Sequence, residues 1–180
     1  MRKSITLFLL VILLSAGKSF SQSVMTTESA TPTTVYPKTV GYLSFILPIV
    51  TINKDVTTND FQTIKTFAIG FPVGVNVLYS DKFGFSYEIT PTIQAGDGST
   101  KTSKILFDPG PMFRFKHSFT IITRLAFETS GRYGVTPVFN KVYKHTKAVN
   151  YFVAASLPVR FGNNELPSIG GNLQFGFIFN

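Results

Sequence analysis

Few residues in this 180-residue chain could do chemistry, and they fall into two groups. The first is small. His117 and His145 are the only histidines, and His117 stands beside Ser118. A serine with an imidazole in reach is the raw material of nucleophilic catalysis, in which the base takes the hydroxyl proton as the oxygen attacks an acyl carbon. Neighbours along an extended chain point to opposite faces, so His117 and Ser118 are not expected to meet. Both histidines are read as turn residues, no catalytic residue is assigned, and the protein is not expected to be an enzyme.

The second group is six charges: Glu88, Asp108, Arg114, Arg124, Glu128 and Arg160. Each stands on the polar face of a segment that alternates in period two, so all six are expected to converge on one interior. Charges withdrawn from water need partners, and an ion-pair network that neutralises and fills the interior is the expected arrangement. A selective polar pore or a ligand site would draw on the same residues. Other chemistry lacks its parts. There is no cysteine, hence no disulfide and no thiolate. Two separated histidines make no zinc site, and Ala95-Gly96-Asp97-Gly98 offers one carboxylate where a calcium loop needs several. No phosphate-cradling loop is present. No metal and no cofactor are expected.

The elements that would position these charges read as strands. The last of them, Ser168 to Asn180, alternates Leu173, Phe175, Phe177 and Phe179 with Asn172, Gln174, Gly176 and Ile178. Before it the sequence predicts Val40–Ile52, apolar on both faces, then Thr66–Tyr79, Lys82–Gln94, Lys104–Phe115, Ser118–Thr129, Arg132–Val142 and Lys147–Phe161. From the second strand on, one face is Phe, Val, Ile, Leu and Tyr. The other is Gly, Ala, Ser, Thr and Asn with the isolated charges, and Phe152 is the one phenylalanine assigned to it. Alternation alone would also fit a soluble, lipocalin-like barrel that binds a ligand. Such a barrel would carry Lys and Glu on its second face to meet water. Here the lysines stand at strand ends and in connections, and small residues suit the cramped interior of eight strands. Mid-strand on the apolar face, Val75→Arg should therefore do more harm than Gly74→Ser beside it.

The ends of the chain and its charge complete the reading. Residues 1–21 have the form of a signal peptide: Arg2 and Lys3, the apolar run Leu7–Ala16, then Ser19 and Ser21 before the cut. That run is too short to span a bilayer as a helix, which needs about 20 residues. Residues 22–38, rich in Ser, Thr and Pro, read as a flexible lead-in, and 39–180 as the barrel. The net charge of +8 is spread along the chain without a basic cluster, so nucleic acid is not an expected partner. Dispersed lysines suit the level of lipid headgroups instead. Seven prolines inside the strands (Pro48, Pro72, Pro91, Pro109, Pro111, Pro137 and Pro158) each delete a ladder donor and are expected at bulges or near the outer rim.

Leader, eight alternating segments and a terminal aromatic strand together resemble the small outer-membrane β-barrels of the OmpA/OmpX-like class. The resemblance covers Thr39 to Asn180 and is one of pattern. It implies an all-β, eight-stranded, antiparallel up-and-down transmembrane barrel in the outer membrane of a Gram-negative-type bacterium, with both termini periplasmic. Phe175, Phe177 and Phe179 would face lipid, and the C-terminal strand would engage the barrel-assembly machinery. The resemblance does not choose a role; a structural or surface-interaction one is expected because eight strands leave room only for their own side chains, and it would be exercised through the two longest connections, Asn53–Lys65 and Ala95–Ser103, which are polar. A lipid-modifying enzyme of the outer leaflet is the alternative within the class.

Overall fold

In a computed structural model the described residues are 34–53, 57–59, 66–96 and 98–179. The leader 1–21, most of the lead-in and most of the Asn53–Lys65 connection lie outside them. Among the described residues there are twelve strands: β1 (Lys38–Asn53), β2 (Thr57–Asn59), β3 (Thr66–Gly70), β4 (Val73–Leu78), β5 (Phe83–Gly96), β6 (Ser99–Phe107), β7 (Gly110–Phe115), β8 (Phe119–Glu128), β9 (Tyr133–His145), β10 (Val149–Ser156), β11 (Val159–Phe161) and β12 (Ser168–Phe179). All pairings are antiparallel, and β1 pairs with β12 from Tyr42↔Ile178 to Asn53↔Ser168, which closes the sheet into a barrel. Collinear β3 and β4, β6 and β7, and β10 and β11 each make one stave. With β1, β5, β8, β9 and β12 the ring has eight staves, each hydrogen-bonded to its sequence neighbours. β2 folds back onto the end of β1.

The prolines account for the difference between twelve segments and eight staves. The three breaks fall at Phe71-Pro72, Asp108-Pro109 and Leu157-Pro158, in mid-stave rather than at a rim. At each break the residue before proline still donates sideways: Phe71 N–H to the Pro91 carbonyl, Asp108 N–H to Glu88, and Leu157 N–H to Pro137, all at 3.0 Å. Each proline carbonyl accepts from the stave on the other side, from Ser44, Leu125 and Gly170 at 2.9, 2.8 and 2.7 Å. Proline therefore removes its own N–H and little else from the ladder. Pro48 adjoins a register shift in β1, as a bulge position should.

Two expectations are corrected. Ala95–Ser103 is not a long loop. β5 runs to Gly96 and β6 starts at Ser99, with Gly98 at φ +75° in the tight turn between them. Thr100 and Thr102 are β-branched and extend the hairpin, where the Gly, Ser and Thr content alone suggests a long connection. Gly74 is not a tolerant lumen position either. A Cβ there would lie 2.2 Å from Cζ of Tyr42, whose ring crosses the lumen beside it.

Burial alternates as the polar and apolar faces demand. Gly74, Asn76 and Leu78 on β4, and Gly84, Ser86, Glu88 and Thr90 on β5, are buried, while Val73, Tyr87 and Ile89 are exposed on the outside. The outer surface carries aromatics toward both rims. Tyr79 stacks near Phe83 at 6.2 Å and Phe115 near Phe119 at 6.1 Å on the rim that Lys38 and Phe179 share. Tyr133 meets Phe161 at 6.4 Å toward the opposite rim. Aliphatic Val75, Leu125 and Leu173 lie between and are also exposed.

Candidate functional site: the barrel interior and its rim

The interior begins with residues whose side chains have nowhere to go but inward. Arg124 on β8 and Glu88 on β5 are 3% and 1% exposed, and their Nη1 and Oε2 atoms lie 2.9 Å apart. Tyr42 of β1 binds both: its hydroxyl donates to Glu88 Oε2 at 2.7 Å and accepts from Arg124 Nη2 at 2.8 Å. Arg124 Nη2 also donates to Ser86 Oγ at 3.0 Å, and Thr90 Oγ1 donates to Glu88 Oε1 at 3.1 Å. Gln174 of β12 donates to Ser44 Oγ at 2.8 Å. Its amide also reaches Glu88 Oε2 at 3.5 Å, so the cluster ties together four of the eight staves, β1, β5, β8 and β12.

A second cluster lies toward the rim away from the chain ends. Arg160 Nε and Lys104 Nζ each donate to Glu128 Oε1 at 2.9 Å, and Ser130 Oγ donates to Glu128 Oε2 at 3.0 Å. Arg160 Nη1 reaches Thr136 Oγ1 at 3.0 Å and the Val159 carbonyl at 3.1 Å. Asp108 is buried between the clusters, within the field of Glu88, Arg124 and Arg160. Its Oδ1 has no hydrogen-bond partner among the described residues. Glu88, Asp108 and Glu128 are thereby set against Arg124, Arg160 and Lys104.

Five of the six charges assigned to the interior by alternation stand together there. Arg114 does not join them. It lines a cavity at the rim shared by the chain ends, near Tyr36 and Asp81. β7 ends one residue after it, at Phe115, so its side chain belongs to the mouth rather than to mid-lumen. Sequence reasoning missed Tyr42, Gln174 and Lys104. Tyr42 was hidden because β1 is apolar on both faces. Gln174 was counted with the small stripe of β12, and Lys104 was assigned to a strand end because the extension of β6 back to Ser99 was not foreseen.

The space left over is uneven. Beside the Tyr42–Arg124 cluster a gap of about 20 Å³ remains, bordered by Tyr42, Arg124, Phe152 and Gln174. That volume has room for about one water. Toward the chain-end rim the lumen widens into a cavity of about 290 Å³, with Leu78, Met112 and Ile122 deep in it and Lys38, Arg114 and His145 among its outer residues.

At this rim the serine and histidine meet in an arrangement the sequence reading did not consider. Ser118 does not face His117. Its Oγ lies 3.1 Å from Nε2 of His145, 27 residues along the chain. His145 Nδ1 lies 3.1 Å from Asn150 Oδ1. His145 ends β9 and Asn150 is its cross-strand partner on β10, so the pair is set by register. Ser118 comes from the turn between β7 and β8, which is adjacent to β9 around the barrel.

Phe175 and Phe179 on β12 are 45% and 48% exposed on the outer surface, and Phe177 packs there against Tyr151 at 5.3 Å. No described helix is long and apolar enough to cross a membrane.

No family model matches this chain, and no curated protein matches it. Among solved structures, one from the de novo design of transmembrane β-barrels is 10% identical, with a TM-score of 0.49, over 78% of this chain and 93% of its own. A second designed barrel, TMB2.3, solved by NMR in solution, is 16% identical with a TM-score of 0.40, over 78% and 94%. The outer membrane protein OprG from Pseudomonas aeruginosa is 8% identical with a TM-score of 0.38, over 78% and 93%. The barrel itself is established by the closed ring of antiparallel pairings in this chain.

Proposed function

We propose that this chain is an integral outer-membrane β-barrel of a Gram-negative-type bacterium, closed by its own side chains, with a structural or surface-interaction role. The observation that carries this reading is the inverted polarity of the barrel. Paired charges, amides and hydroxyls lie inside, beside an apolar cluster of Leu78, Met112, Ile122, Val138 and Phe152, while Phe, Val, Ile and Leu cover the outside between two bands of aromatics. In water that distribution would expose a continuous apolar surface, a liability for a monomer. In hydrocarbon it satisfies every strand: the closed ladder leaves no edge, and aromatics sit at the two interfaces.

The turns at the rim shared by the chain ends are tight, around residues 79–82, 116–118 and 146–148. The opposite rim carries the 54–65 connection, the β5–β6 hairpin and the 162–167 segment. Arg132 holds that segment through Glu165 at 2.9 Å and the Leu166 carbonyl at 3.1 Å. The two longest connections, 54–65 and 162–167, share the rim away from the chain ends, and with the longer connections outside both termini would lie in the periplasm. The 54–65 connection and the β5–β6 hairpin are then the surfaces for a partner. The aromatic stripe of β12 is the segment offered to the barrel-assembly machinery, and the surrounding partner is outer-membrane lipid.

A lumen closed by paired charges should not conduct. Wild-type protein reconstituted in planar bilayers is expected to give no steps above leak at neutral pH. Regular, ion-selective steps from the folded wild type would replace the closed barrel with a pore.

A further inference from the structure

We propose that Ser118, His145 and Asn150 form a nucleophile, a general base and an orienting group that hydrolyse a carboxylic ester entering the 290 Å³ cavity from the chain-end rim. The inference goes beyond the role proposed above and does not depend on where the barrel resides. It departs from the sequence-based expectation because His145, not His117, is the partner of the serine.

The geometry gives each group one part. Asn150 Oδ1 is an acceptor, so the His145 nitrogen facing it, Nδ1, carries the ring proton. Nε2 then presents its lone pair to the Ser118 hydroxyl at 3.1 Å, the reach a general base requires. The turn itself argues for a retained hydroxyl. His117 and Ser118 both have left-handed backbones, at φ 60° and 57°. They close the three-residue turn Lys116–Ser118, where left-handed backbone favours Gly or Asn over other residues. Ser118 holds a conformation that glycine would adopt without strain, and it supplies the one atom glycine lacks.

The cavity provides the rest. Leu78, Met112 and Ile122 line it and offer an apolar bed for a short acyl chain. Arg114 and Lys38 line it too and are the cations at hand for the charge that gathers on the carbonyl oxygen. In the first half of the reaction the Ser118 Oγ–carbon bond forms as the hydroxyl proton passes to His145 Nε2. The carbon–oxygen bond to the alcohol then breaks, and the leaving oxygen takes that proton. In the second half water adds to the acyl-serine and gives a proton to Nε2. Oγ departs with it, releasing the carboxylic acid.

The test uses full-length processed protein folded in detergent micelles, with folding read from the heat-dependent shift in gel mobility. Hydrolysis of p-nitrophenyl butyrate and labelling by a fluorophosphonate are followed. A single adduct on Ser118 is expected. Ser118→Gly, which suits the turn and keeps the fold, should lose both labelling and hydrolysis. His145→Gln should slow hydrolysis by about 10²–10⁴-fold, while His117→Asn should keep the wild-type rate. Folded wild type that takes no label on Ser118, or that hydrolyses the ester no faster than Ser118→Gly, would overturn the proposal.

Discussion

Arg124→Ala is expected to cost the barrel about 3–5 kcal/mol, because it strands Glu88 without its counter-charge in a site closed to water. Glu88 is 1% exposed and would keep Tyr42, Thr90 and Gln174 as hydrogen-bond donors, but among the described residues no other cation pairs with it. The double variant Glu88→Gln/Arg124→Met removes both charges and should recover part of the loss, since a neutral pair of similar volume avoids the desolvation penalty. Arg114→Ala is the control. Sequence alternation grouped Arg114 with the buried charges, but its place at the rim predicts a loss of only about 0–1 kcal/mol. The check is the denaturant midpoint of refolded barrels, read from heat-dependent mobility. Equal losses for Arg114→Ala and Arg124→Ala would mean that the mid-lumen pair has no special role.

Val75→Arg should rank next. Val75 is exposed on the outer surface, one residue from the Gly74–Glu88 rung that carries the central cluster, and so lies toward the middle of the apolar band. Arginine near the bilayer midplane costs about 2–4 kcal/mol, and less toward either interface. Folding into lipid vesicles should therefore drop in yield, and Val75→Leu should fold like wild type. Gly74→Ser no longer serves as the mild comparison, since Tyr42 occupies the space its side chain would need. If Val75→Arg and Val75→Leu fold into vesicles equally well, the outer face of β4 is not in contact with hydrocarbon.

How far the sequence could be read depended on the strand. Where alternation was clean, as in 83–90 and 173–179, each residue's face followed from its parity, and Glu88, Arg124 and Phe175 went where the period placed them. β1 has no such contrast, so the inward Tyr42 could not be told from its neighbours, and with it went the centre of the hydrogen-bond network. The prolines looked like obstacles because a missing N–H is visible in sequence, whereas the flanking bonds that survive at Phe71-Pro72 or Leu157-Pro158 are not. The Ser118–His145 contact is a matter of barrel order and register. It joins a turn to the end of a strand two staves away in sequence, and no local spacing encodes it. Ala95–Ser103 misled through composition: Thr and Ser serve loops and strands alike, and pairing decided the matter.

The central claim is that the Phe stripe of β12 touches lipid while the opposite face of the same strand does not. The chain has no tryptophan, so a single one reports its own surroundings. Phe175→Trp puts an indole at an exposed outer position, and Phe152→Trp puts one at a buried lumen position on the neighbouring β10. Both variants would be folded into vesicles whose acyl chains carry bromine. The account predicts strong quenching and blue-shifted emission for Phe175→Trp, and weak quenching for Phe152→Trp. Water-like, unquenched emission from Phe175→Trp in the folded barrel would contradict it.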